Sequence, residues 1–318
     1  MYLEQFGLRE YPFSLTPDTS FFFACSNYQE ALNTLLVAAR SGEGFIKIVG
    51  EVGNGKTLLC RKFLATLNND KSSTNVIGTQ DASVAGRGAT KFITAYIPNP
   101  YLEPRSLLLA LAGEFRIELD SSVDQHQLLK ELTLALLKFA REGKRVLVCL
   151  DEAQAMPLES LEVLRLLTNL ETEKRKLMQV VLFGQPELDE RLKHNSVRQL
   201  RQRISFQYDL KGLHHDEVDR YLRHRLLVAG YKGETLFRPG AVNLLHRVTR
   251  GTPRLVNIIA HKALLLAYGE GRQQVTSRHI RVAAADTPEA RKDWMVWVWG
   301  SVAALVLIVL TLIGVWLR

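Results

Sequence analysis

Short apolar runs alternate along the first two thirds of the chain with longer stretches in which apolar residues recur every three or four positions. Residues 45–49 (FIKIV), 92–97 (FITAYI), 146–150 (VLVCL) and 180–183 (VVLF) read as short buried strands. Residues 57–67, 128–141 and 158–170 carry the apolar period of helices packed on one face. Strand and helix in alternation predict an α/β fold, a parallel sheet with helices on both faces. Residues 68–90 (NNDKSSTNVIGTQDASVAGRGAT) are rich in Asn, Ser, Thr and Gly and read as a long connection. Beyond about residue 209 the pattern is helical, with candidate helices at 216–229, 239–249, 254–268 and 277–284. These assignments divide the chain into an α/β domain over 1–208 and a small all-α domain over 209–285.

A third pattern follows. Residues 294–317 are 24 consecutive positions without a charge, which as a helix would span ~36 Å and cross a bilayer with some tilt. Trp294, Trp297, Trp299 and Trp316 stand near its two ends, where amphipathic rings prefer the head-group layer, and Arg291 and Lys292 precede it. The positive-inside rule then keeps the preceding domains cytoplasmic, with 286–293 as a linker. The opening residues MYLEQFGLREYPFS lack the basic and apolar regions of a secretory signal.

Composition narrows the class. With 47% hydrophobic and 23% charged residues, the 318-residue chain is neither disordered nor a polytopic membrane protein. Its formal charge of +8 is concentrated: residues 209–292 hold 15 Lys and Arg against 8 Asp and Glu. Such a face suits phosphates or anionic lipid head groups, or is simply a set of solvated helix faces. The three cysteines, Cys25, Cys60 and Cys149, show no ligand spacing, which points to a reduced compartment and no structural metal.

The chemistry-bearing motif is Gly50-Glu51-Val52-Gly53-Asn54-Gly55-Lys56-Thr57, with Leu58 following, placed between a predicted strand and a predicted helix. Glycines let the backbone wrap a β-phosphate with its N–H groups inward, Lys56 neutralises β/γ oxygens, and the Thr57 hydroxyl ligates Mg²⁺. Its partner is the run 145–152, RVLVCLDE, a strand ending in two carboxylates. There Asp151 would hold the Mg²⁺ shell, and Glu152 would orient and deprotonate the attacking water. The eight histidines form no HExxH or comparable set, and no Ser/His/Asp hydrolase pattern occurs. ATP and its Mg²⁺ are therefore the expected cofactors.

The stretches DEAQAMPLESLEVLRLLTNLETEKRKLMQVVLFGQPELDERL, FGLREYPFSLTPD and AYIPNP make the chain resemble the ExeA/GspA branch of AAA+ ATPases over about residues 1–285. The resemblance implies a P-loop AAA+ core followed by an α-helical lid. It implies that Gln185 senses the γ-phosphate, that Arg201 or Arg203 is an arginine finger offered to a neighbouring subunit, and that Arg254, opening a helix after Gly251-Thr252-Pro253, is the lid's sensor 2 arginine. It further implies a homo-oligomer, ring or dimer, at the bacterial inner membrane, whose partners are assembly proteins of a type IV (MSHA-like) pilus or of type II secretion. A second expectation from the same branch is a DNA-associated ATPase of the transposition or origin-binding type, whose basic second domain meets phosphates.

Overall fold

The structure is a computed structural model describing residues 2–16, 18–69, 91–118, 123–172 and 175–290. The expected membrane helix over 294–317, the end of the linker and all but the first two residues of the 68–90 connection lie outside these residues. Among the described residues no helix is long and apolar enough to cross a membrane. The chain divides into two compact units, Pro17–Lys211 and a second made of Met1–Thr16 together with the chain from Gly212 onward.

In the first unit the strands are β1 (Phe45–Val49), β2 (Phe92–Ile97), β3 (Arg145–Leu150), the short pair β4 (Glu171–Thr172) and β5 (Arg175–Lys176), β6 (Met178–Gly184) and β7 (Ile204–Asp209). Five of them form one sheet in the order β2-β3-β6-β1-β7, with every neighbouring pair parallel. All residues of β1 and β6 are buried, as a strand covered by helices on both faces requires. β7 was not expected from the sequence; its inner and outer residues alternate because it is an edge strand with one face toward solvent. Its signal was the period-2 run Ile204, Phe206, Tyr208.

The described helices of this unit are α2 (Ser26–Ser41), α3 (Lys56–Asn69), α4 (Pro104–Glu114), α5 (Gln125–Arg141), α6 (Leu158–Thr168), α7 (Glu187–Leu192) and α8 (Arg198–Arg201); α1 (Tyr2–Gln5) belongs to the other unit. Leu107 and Leu111 of α4, Leu128, Leu132 and Leu136 of α5, and Leu161 and Leu164 of α6 bury one face of the sheet against Val146, Val148, Val180 and Leu182. Each such side chain contributes about 1.5–3 kcal/mol. Inside β1, Lys47 is buried and pairs with Asp189 of α7, which keeps a charged residue tolerable in a central strand.

The helical unit holds α9 (His215–Val228), α10 (Pro239–Thr249), α11 (Pro253–Gly269) and α12 (Ser277–Ala285). It starts three residues later than the sequence division at 208/209, and it also includes residues 1–16, which the sequence division had grouped with the α/β domain. The reason is apolar: Tyr2, Phe6, Leu8 and Phe13 are all buried. Tyr2 Oη shares a 3.0 Å hydrogen bond with His261 Nδ1, and Arg9 N donates to Ala229 O at 2.8 Å. Arg225, itself buried, donates from Nε to Pro12 O at 2.5 Å and from Nη2 to Ser14 O at 3.2 Å. At the other end, Lys262 Nζ donates to Asp286 Oδ2 at 2.8 Å and to Thr287 Oγ1 at 3.1 Å, so the first residues of the expected linker are fastened to α11.

Arg225→Ala is expected to lower stability by roughly 2–3 kcal/mol through loss of its charge-assisted bonds. Amide exchange at residues 8–14 should rise more than at α10, as measured by hydrogen-exchange mass spectrometry.

Candidate nucleotide site

β1, β3 and β6 end along one edge of the sheet, and the loops leaving them carry the chemistry. The loop after β1 turns back on itself through two glycines of positive φ, Gly53 (85°) and Gly55 (83°), a region L side chains avoid. At Gly55 the demand is also steric: a Cβ would lie 1.6 Å from Tyr28 Oη. Tyr28 of α2 donates that hydroxyl to Asn54 O at 2.5 Å, and Asn54 Nδ2 donates to Leu210 O at 2.8 Å. At the start of the loop Gly50 N donates to Gly184 O at 3.1 Å, and a Cβ at Gly50 would meet Leu210 O at 2.7 Å. The loop is thus clamped from α2, β6 and the chain after β7 before any ligand contributes. Glu51 and Val52 at its crest are exposed.

Lys56, Thr57 and Leu58 form the first turn of α3, whose unpaired N–H groups and positive dipole end suit a phosphate. Lys56 is buried and donates from Nζ to Gly50 O at 2.7 Å and to Glu51 O at 3.1 Å. Burial pulls its ammonium below the ordinary lysine range, and the carboxylates of Glu152, Asp151 and Glu51 oppose that shift.

Thr57 Oγ1 donates to Asp151 Oδ2 at 2.6 Å, so the residues assigned to Mg²⁺ from the sequence meet in space. Two hard oxygen donors, one on a 2%-exposed carboxylate, fit an ion that takes few protein ligands and keeps several waters. Tyr96 of β2 donates to the same Asp151 oxygen at 3.3 Å. Burial, then the Asp151 charge, pushes the Tyr96 hydroxyl up to about 12, so it stays a donor at neutral pH. Burial and then Cys149 raise the Cys60 thiol well above its usual range, and all three cysteines are buried and outside any disulfide.

Glu152 follows with left-handed backbone angles, φ 53° and ψ 37°. Its Oε2 accepts from Gln185 Nε2 at 2.8 Å and from Gln154 Nε2 at 2.6 Å, and Gln185 N donates to Gln154 Oε1 at 3.0 Å. Gln185, the first residue after β6, therefore stands beside the expected base. Tyr28, Tyr96 and Gln154 carry no motif of their own and were missed by sequence reasoning; only their placement in the fold reveals them.

Arg201 and Arg203, in the same unit, are not brought to this cluster. Arg203 precedes β7, whose Ile204 pairs with Phe45 at the start of β1, so a five-residue strand of about 16 Å separates it from the loop after Val49. Arg201, exposed at the end of α8, lies beside it in sequence. Arg254 is in the first turn of α11 in the helical unit.

An AAA domain family matches residues 39–192. General secretion pathway protein A of Aeromonas hydrophila is 39% identical over 316 residues, 99% of this chain and 54% of that protein. The chain thus spans about half the length of this curated relative. Among solved structures, Cdc6p from Pyrobaculum aerophilum matches with a TM-score of 0.60 at 15% identity over 86% of this chain and 70% of that one. ORC2 of Aeropyrum pernix matches with a TM-score of 0.55 at 18% identity over 81% of this chain and 66% of that one. These two show the fold. Taken with the clamped P-loop, the Thr57–Asp151 pair and Glu152, these matches make residues 39–192 an AAA domain equipped for ATP hydrolysis, and make the chain similar to the ExeA/GspA type along nearly its whole length.

Proposed function

We propose that this chain is a membrane-anchored ATPase that hydrolyses ATP with Mg²⁺ to support assembly of a type II secretion machine or an MSHA-like type IV pilus. The observation that carries the chemistry is the meeting of Thr57, Asp151 and Glu152 beside a P-loop lysine. When bound, ATP with Mg²⁺ supplies the γ-phosphoryl group and the divalent charge that balances its oxygens. Gly50 to Leu58 enclose the phosphates with backbone N–H groups, and Lys56 adds a buried positive charge there. Thr57 and Asp151 hold the ion through oxygen. Glu152 orients a water and takes its proton, and Gln185 reports on the γ-phosphate from the end of β6.

Arg201 or Arg203 serves the site of a second copy. Each belongs to the sheet edge away from its own P-loop, which favours action in trans and a homo-oligomeric ring or dimer. Arg254 is the lid arginine that couples nucleotide state to movement of the helical unit. The secretion assignment rests on the identity to General secretion pathway protein A along 99% of this chain. The anchor rests on the 24 uncharged residues at 294–317 with their flanking Trp, Arg and Lys, and it gives a single-pass inner-membrane protein with the ATPase in the cytoplasm.

In-cell crosslinking of Glu152→Gln, which retains ATP, is the deciding experiment. Recovery of inner-membrane secretion or pilus components supports the assembly reading, whereas recovery of DNA and nucleoid proteins replaces it.

Three outcomes are expected in vitro. Lys56→Ala should lose nucleotide binding, measured by fluorescent-ATP titration, while Glu152→Gln should bind normally and hydrolyse about 10²–10⁴-fold more slowly. Alanine at the true finger, Arg201 or Arg203, should cut kcat about 10³-fold or more. Mixing that variant with Lys56→Ala subunits should restore part of the rate, because one copy keeps the P-loop and the other the finger. Finally, the full chain should resist alkaline carbonate extraction from membranes, and a chain ending at residue 290 should be released.

A further inference from the structure

Gln154 lies in the 3-10 turn Ala153–Ala155 that follows Glu152, and none of the steps above uses it. Its side chain folds back over that turn. Nε2 donates to Glu152 Oε2 at 2.6 Å, and Oε1 accepts from the Gln185 backbone N–H at 3.0 Å. Gln185 Nε2 closes the circuit on the same Glu152 oxygen at 2.8 Å. Glu152, Gln154 and Gln185 therefore form a ring of three hydrogen bonds joining the end of β3 to the end of β6.

The ring has a chemical requirement and a geometric one. Only a primary amide of this length donates to a carboxylate at one atom and accepts from a backbone N–H at the other. A carboxylate at 154 would repel Glu152, a thioether would donate nothing, and Asn would fall one methylene short. The close approach of β6 depends on Gly184, where a Cβ would come 3.4 Å from Gln154 Oε1 and 2.7 Å from Leu188 Cδ2. Both side-chain amides are spent on Oε2, and among the described residues no hydrogen bond reaches Oε1. Oε1 is thus the carboxylate oxygen available to a water.

We propose that Gln154 is a positioning residue that couples the end of β6 to the orientation of the catalytic carboxylate. The inference rests on the assignment of Glu152 as the base. Glu152 holds a left-handed backbone conformation, whose cost of about 1–3 kcal/mol must be met by surrounding contacts. Gln154 supplies one such contact from a group that is also fixed to Gln185. A displacement of Gln185 therefore reaches Glu152 through two routes: its own side chain, and its backbone N–H acting on Gln154. The carboxylate is aimed at water only while the end of β6 is in register with it.

The test compares Gln154→Met and Gln154→Asn in the full chain, with Glu152→Gln alongside. Gln154→Met should lower kcat roughly 10- to 100-fold, the scale of a misplaced catalytic group, with the KM for ATP changed by less than about threefold. Gln154→Asn, one methylene short of the circuit, should show the same split between kcat and KM. A purely structural role for Gln154 would instead lower the melting temperature and weaken ATP binding together with the rate. A Gln154→Met rate within twofold of the unaltered chain, or a rate loss matched by an equal loss of ATP binding, overturns the proposal. If Gln154→Met fails to fold, Gln154→Asn decides alone, a lowered kcat at unchanged KM in support or an unchanged kcat against. Undiminished hydrolysis in Glu152→Gln would instead remove the base assignment itself, a separate failure visible without either Gln154 variant.

Discussion

The 2.6 Å contact between Thr57 and Asp151 is the constraint from which the rest of the α/β unit follows. Its two residues lie on α3 and at the end of β3, and the sheet order puts β6 between β3 and β1. With neighbouring strands about 4.8 Å apart, the ends of β1 and β3 stand roughly 10 Å from each other. The loop after β1 must therefore carry the start of α3 back across β6 before Thr57 can reach Asp151. That path explains the positive-φ glycines, the absence of a side chain at Gly50 and Gly55, and the hydrogen bond from Gly50 to Gly184 at the end of the strand being crossed.

Crossing the sheet edge in this way buries polar groups, and the surrounding residues satisfy most of them, Asn54 Oδ1 being an exception among the described residues. Asn54, Lys56 and Asp151 are each 5% exposed or less. Lys56 spends donors on the carbonyls of Gly50 and Glu51, Asp151 accepts from Thr57, Tyr96 and the Glu152 N–H, and Tyr28 covers the Asn54 carbonyl. A polar group left without such a partner in this setting costs about 1–3 kcal/mol. Tyr28 and Tyr96 thus belong to the site as much as the motif residues do, although neither is assigned a contact with a reacting atom. The same reasoning applies to Glu152, whose unusual backbone is tolerable because amides from the turn that follows it and from the end of β6 meet its carboxylate.

The helical unit is organised by apolar burial that ignores sequence order. Tyr2, Phe6, Leu8 and Phe13 come from the first residues of the chain, yet they join a core made otherwise from residues beyond 212. Arg225 fixes this return by bonding to backbone carbonyls at Pro12 and Ser14. Backbone carbonyls are present whatever side chains occupy those positions, so no complementary charge marks the pairing in the sequence.

Much was legible in the residues alone because local chemistry imposed it. Four strands of the sheet declared themselves through short, mainly apolar runs, since burial on the sheet faces leaves few positions for polar residues; Lys47 in β1 is tolerated through its pairing with Asp189. The P-loop and its acidic pair were readable because phosphate and Mg²⁺ demand glycine freedom, a lysine and hard oxygens at fixed spacing. Gln185 was singled out through resemblance, as the polar residue after the strand 180–183, and the fold sets its side chain against Glu152. The edge strand β7, the transfer of residues 1–16 to the helical unit, and the clamp made by Tyr28, Tyr96 and Gln154 were decided only by tertiary structure. Their partners lie far away in sequence: 26 residues for Tyr28 to Asn54, 55 for Tyr96 to Asp151, and 31 for Gln154 to Gln185. A tyrosine or glutamine has the same local propensity whether or not such a partner exists, so only the folded chain, by bringing strand ends together, assigns it a role.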